Sequence, residues 1–188
     1  MKSSDNAIIR LLVLVPHRDT RRILRVYGGK LFQSGVFGAR SFPPVAPLGV
    51  VSQSLSRETL LMLAKSLRNR INRLNREGKC TTQGWATVSI PSFPTLGGLN
   101  LALSPLEFEP TLGIRALSPV LLGLTILGST DTEHHLDRFF LDTLEKPLSF
   151  RAAALANFLI RPLPYGERDF SFEWEIGKLA WLPSSAAV

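Results

Sequence analysis

This 188-residue chain has little of three things: one cysteine, three histidines and no long apolar run. A single thiol, Cys80, excludes an internal disulfide and makes a reducing, cytoplasmic compartment the expected setting. A chain of this length buries roughly 70% of its unfolded surface and can fold on its core alone. The longest apolar stretch after the first strand, "LSPVLLGLTILG", falls short of the roughly 20 residues that cross a bilayer, so no membrane partner is expected. The opening "MKSSDNAIIRLLVLVP" is broken by Arg10 and lacks a small-residue cleavage site, so it is not read as a secretory signal.

The scarcity of histidine bears directly on chemistry. His17 is followed at the second position by Asp19, His134 by Leu136 and His135 by Asp137, so no His-x-Thr or His-x-Ser motif exists. His134 and His135 cannot share one helix face, and no cysteine or further histidine lies at ligand spacing, so no metal is expected. "YGGK" and "TLGGLN" lack the spacing of a phosphate-cradling P-loop, and no Gly-x-Ser-x-Gly elbow is present. Glu107–Glu109 and Glu173–Glu175 alternate as solvent-facing strand residues would. No catalytic residue and no cofactor is assigned.

Positive charge is plentiful, and it is unevenly spread. The formal net charge is +7, with a pI near 10.2. Residues 1–80 carry 15 Lys and Arg against four Asp and Glu; residues 81–188 carry seven against 11. The first half is therefore +11 and the second −4, and a polyanionic partner is expected to meet the first half.

"AIIRLLVLVP" reads as a buried strand. A helix follows, capped by Asp19 or Thr20, with Ile23, Leu24, Tyr27, Leu31 and Phe32 as its apolar stripe. Gly28 and Gly29 invite a break, since each costs about 1 kcal/mol in a helix interior. "LGVVSQ" is a short strand. Ser56 then caps a helix over about 57–77, in which Leu60, Leu63, Leu67, Ile71 and Leu74 recur at helical spacing until Gly78. "GWATVSI", "GLNLALS", "IRALSPV" and "LLGLTIL" are strand candidates, "DTEHHLDRFFLDTLEK" a helix, and "FSFEWEIGKLAWL" an alternating strand. "SFRAAALANFLIRPL" suits a helix by its alanines and a strand by its position.

The helix at 57–77 presents Lys65, Arg68, Arg70, Arg73 and Arg76, interleaved with Asn69, Asn72 and Asn75. Arginine and asparagine suit phosphate and base-edge contacts, which makes RNA or a nucleotide the expected partner. A second cluster, Arg18, Arg21 and Arg22, follows His17 at the strand-to-helix turn, where an anion contact is the functional reading and a solvated helix face the plain one.

The order of elements resembles the LigT-like two-histidine (2H) phosphoesterases over roughly residues 7–76. "IIRLLVLVP" corresponds to that family's first strand, "SFPPVAP" to its aromatic-proline loop, and "SRETLLMLAKSLRNRI" to the capped helix after its first motif strand. "LSFRAAALANFLIRPL" corresponds to its second motif strand. The resemblance implies an α+β fold of two pseudo-symmetric lobes, each an antiparallel-rich sheet with helices outside, within one domain divided at about residue 80. It also implies a groove in which two His-x-Thr motifs act without metal on RNA phosphates. Those motif positions fall here at Ala46 to Leu48 and Ala153 to Leu155, beside His17 as a further groove candidate. Alanine and leucine transfer no protons. The expected function is therefore non-catalytic binding of RNA or a phosphorylated nucleotide-like ligand. The alternatives are an RNA 2′,3′-cyclic phosphodiesterase or 2′-5′ ligase-like enzyme using an atypical site, and a protein-interaction scaffold.

Overall fold

A computed structural model describes residues 7–33, 42–52, 55–78, 80–90, 95–103, 113–126, 147–162 and 170–177. The chain is α+β. Its described elements run β1 (Ala7–Pro16), α1 (Arg18–Gln33), β2 (Ala46–Val51), α2 (Arg57–Glu77), β3 (Thr82–Val88), β4 (Leu96–Leu101), β5 (Ile114–Ala116), β6 (Leu121–Ile126), β7 (Phe150–Pro162) and β8 (Phe170–Gly177). One sheet has the order β5-β2-β1-β7-β8 and a second the order β3-β4-β6; every pairing is antiparallel. The first sheet thus takes β1 and β2 from the basic half of the chain and β5, β7 and β8 from the other half.

β1 is near-continuously apolar, and from Leu11 to Pro16 both of its faces are buried. Leu12 and Leu14 join a core with Leu24, Tyr27 and Leu31 of α1 and Leu63, Leu67 and Ile71 of α2. Ile9, Leu11, Val13 and Val15 point the other way, into a core with Val88, Leu96 and Leu121 of the second sheet and Phe158 of β7. Phe42 stacks on Phe158 there, ring centroids 5.0 Å apart. β4 and β6 serve both cores, since Leu99, Leu101 and Leu122 belong to the helix side. The one charge within β1, Arg10, is answered by its cross-strand neighbour, for its Nε donates to Asn157 Oδ1 at 3.0 Å.

The alanine-rich segment "SFRAAALANFLIRPL" forms strand β7 over Phe150–Pro162. Helix propensity loses here because β7 lies between β1 and β8 and buries both faces, Ala153 toward the helices and Ala154, Ala156 and Phe158 toward the second sheet. α1 differs from expectation in two respects. It starts at Arg18, and it runs unbroken through Gly28 and Gly29. Gly28 is buried, and the flanking Tyr27 and Leu31 are 2% exposed, so packing outweighs the glycine cost.

α2 has both expected caps. Ser56 accepts from the Thr59 N–H at 3.1 Å, and Gly78 adopts φ 60° while its N–H reaches the Leu74 carbonyl at 3.2 Å. Gly123 in β6 also has positive φ, 66°, and a Cβ there would stand 3.1 Å from the Tyr27 ring, so α1 rests directly on that backbone. The segment "DTEHHLDRFFLDTLEK", with His134 and His135, and the pair Glu107–Glu109 lie outside the described residues.

Candidate functional site: a basic helical layer over a closed sheet face

Leu14 of β1 is the register partner of both Ala46 on β2 and Ala153 on β7. The two first motif positions therefore flank one residue on one sheet face, and Leu48 and Leu155 join the same core. That face is closed. Ala46 is 0% exposed, Leu48 1% and Ala153 5%, with Leu155 half-buried. What space remains beside Leu14 and Leu48 is a pocket of about 10 Å³, walled by Leu67, Ile71, Leu74, Leu103, Val120 and Arg70. It has room for about one water molecule. The side chains at these positions offer no proton donor, acceptor or charge.

The outer surface above that face has the opposite character. α1 carries five Lys and Arg against one Asp, and α2 six against two Glu. The two helices thus hold +8 between them, more than the whole chain's +7, so all other segments together are slightly acidic. Both helices pack on the same sheet face, which turns their solvent sides in one direction.

On α1, Arg18, Arg22 and Arg25 are exposed and Arg21 half-buried. With Asp19 these four arginines border an open recess of about 620 Å³. His17 is exposed at the same turn, its Nδ1 4.0 Å from Asp19 Oδ2, so protonation would give it an ion pair at the outer limit of reach. On α2, Lys65, Arg68, Arg73 and Arg76 are exposed. Arg70 departs from them: it is half-buried and walls the small apolar pocket. Among the described residues, none of Arg18, Arg21, Arg22, Arg25, Lys65, Arg68, Arg73 and Arg76 pairs with a carboxylate.

The two basic groups meet through β7. His17 N–H donates to the Ser149 carbonyl at 2.9 Å, and Ser149 N–H to the buried Thr20 hydroxyl at 3.1 Å. The next residue, Phe150, donates its N–H to Asn75 Oδ1 at 3.0 Å and accepts from Asn75 Nδ2 at 2.7 Å. Asn75 is therefore committed to backbone and is not a surface amide like Asn69. Sequence reading places Asn75 among ligand contacts and passes over Arg25 and the tether made by Thr20. For Arg25 the signal is present, since it continues the 18–21–22 face by one helical turn.

Among the described residues no group of three or more His, Cys, Asp and Glu could hold a metal ion, and no helix is long and apolar enough to cross a membrane. Comparison with protein-family models, curated proteins and solved structures returns no match for this chain.

Proposed function

We propose that this protein binds single-stranded RNA, or a related phosphorylated ligand, through its helical layer and without turning it over. The observation that supports this is the set of eight exposed or half-buried cations on α1 and α2 that have no carboxylate partner among the described residues. Arginines without a carboxylate partner among the described residues have donors available for phosphate oxygens, and phosphate contacts of this kind supply affinity without sequence preference.

We also propose a distant LigT-like origin with two lobes, supported by the β-α-β-α order of the first 77 residues and by the equal placement of Ala46 and Ala153 about Leu14. In this reading the family's groove has been filled by apolar packing, and ligand binding has passed to the outer helices. The absence of a proton-transferring side chain at positions 46, 48, 153 and 155 supports a non-catalytic role.

The experiment is fluorescence anisotropy of labelled single-stranded RNA at several salt concentrations, for the wild type and an Arg18→Gln/Arg21→Gln/Arg22→Gln variant. Affinity should fall with salt, and the variant's salt slope should be flatter by roughly 0.7 for each phosphate it no longer neutralises. Salt-independent or absent binding by the wild type would end this reading. Hydrolysis of an RNA 2′,3′-cyclic phosphate by the pure protein, abolished in His17→Ala, would replace it with the enzyme alternative.

A further inference from the structure

We infer that the arginines of α1 and α2 form one continuous tract and that a single RNA strand crosses from one helix to the other at the Ser149–Phe150 junction. This deepens the RNA reading above and rests on it.

Four observations converge. Both helices contribute their apolar sides to one core, α1 through Leu24, Tyr27 and Leu31 and α2 through Leu63, Leu67 and Ile71. The start of α1 is pinned to Ser149 by two hydrogen bonds, one from His17 just before the helix and one to Thr20 in its first turn, and the last turn of α2 is pinned to Phe150 by two more. Consecutive Cα atoms are about 3.8 Å apart, so the start of one helix and the end of the other are fixed to adjacent points of backbone. Finally, charge is densest at that meeting point. Arg18, Arg21 and Arg22 stand on one side, Arg73 and Arg76 on the other, and only Asp19 and Glu77 are interspersed from those two helix ends.

The dimensions select the ligand. Arg18 to Arg25 spans about 10 Å along α1 and Arg68 to Arg76 about 12 Å along α2, at the usual helical rise. A mononucleotide could not extend along both spans. A strand within the usual span of roughly 4–16 nucleotides can engage both. The hydrogen bonds of Thr20 and Asn75 make them positioning residues, which hold the two helix ends in register without touching RNA.

The test uses the full chain and labelled oligouridylates of about four and about 12 nucleotides, spanning the lengths common for single-strand sites. Three variants are compared with wild type: Arg18→Gln/Arg21→Gln/Arg22→Gln, Arg73→Gln/Arg76→Gln, and the same five positions changed to lysine. One 12-mer should bind per protein, more tightly than the 4-mer. Both glutamine variants should flatten the salt slope for the 12-mer. For wild type, each neutralised phosphate should weaken binding roughly 2.6-fold between about 50 and 200 mM salt, which follows from a slope of about 0.7 per phosphate. Each phosphate that a glutamine variant leaves unneutralised should remove one such factor. The lysine variant should keep most of the slope, since counterion release counts charge.

Two 12-mers bound at once, or a slope that one glutamine variant leaves unchanged, would show separate sites. That result would overturn the single tract while RNA binding stood. No salt-dependent binding of either length would remove both proposals. Binding to phosphatidylserine vesicles in place of RNA would overturn both as well and assign the layer to a membrane surface, on which the exposed Val26, Phe32 and Met62 of the same helices would also act.

Discussion

The inner and outer sides of the helical layer are separated by the width of one helix and have opposite chemistry. Inside, Leu14, Ala46, Leu48 and Ala153 meet Leu24, Tyr27, Leu67 and Ile71 in one core, and none of the first four is polar. Outside, the same two helices carry eight cations without carboxylate partners among the described residues. An architecture can be kept by burial alone, which asks only for apolar volume at the right spacing. Chemistry needs particular atoms, and the alanines and leucines of this face do not supply them. Charge is cheap only in water, so the cations of these helices lie on the solvent side, where the proposed anion contact would form.

The largest effect should come from introducing polarity inside. Ala46→His places an imidazole at a site with no exposure and should destabilise the protein by about 3 kcal/mol or more, through overpacking and an unsatisfied polar group. Urea unfolding measures it. A variant as stable as wild type would mean that the face opens readily, and the contrast between the two sides would dissolve.

Asn75→Ala tests the seam between the sides. It strips partners from both the N–H and the carbonyl of Phe150, and a destabilisation of about 1–3 kcal/mol is expected. A change below about 0.5 kcal/mol would place Asn75 with the surface asparagines.

Alkali probes the inner side through Cys80. Burial pushes this thiol from 9.0 up to about 11, so between those values the unfolded chain ionises while the folded one stays neutral. The unfolded state then holds fewer protons, and stability falls as pH rises from about 9 to 11, by at most about 1.4 kcal/mol per unit from this group. Unfolding measured across that range should show a shallower decline in Cys80→Ala. Equal slopes in the two proteins would indicate that the thiol is not sequestered.

The smallest effect belongs outside. Arg68→Gln, Arg73→Gln and Arg76→Gln should each leave stability within about 0.5 kcal/mol of wild type. A larger drop in thermal or urea unfolding would mean that their stems pack on the core.

The elements set by local signals were legible in the sequence. Ser56, the Leu63–Leu67–Ile71 stripe and Gly78 define α2, and caps and stripes act within a few residues. What could not be read locally was decided across the sheet. β7 is a strand because of β1 and β8, and the run "AAALA" carries no trace of them. The candidate site divides in the same way. Its charges stand in plain view in the sequence. The junction that unites them depends on Thr20 and Asn75 finding neighbouring residues more than 70 positions away.

The pairing of β1 with β7 also sets a timetable. Arg10 and Asn157 are 147 positions apart, so a ribosome adding about 5–20 residues per second finishes the second partner roughly 7–30 s after the first. Throughout that interval β1 can rest on β2, but its other edge waits with bare N–H and carbonyl groups along an almost wholly apolar run. Such an edge recruits strands from other chains. Arg10 sits inside the run and sets a charge against stacking of nascent copies. When Asn157 arrives, the residue that kept strangers away becomes one that fastens the completed sheet.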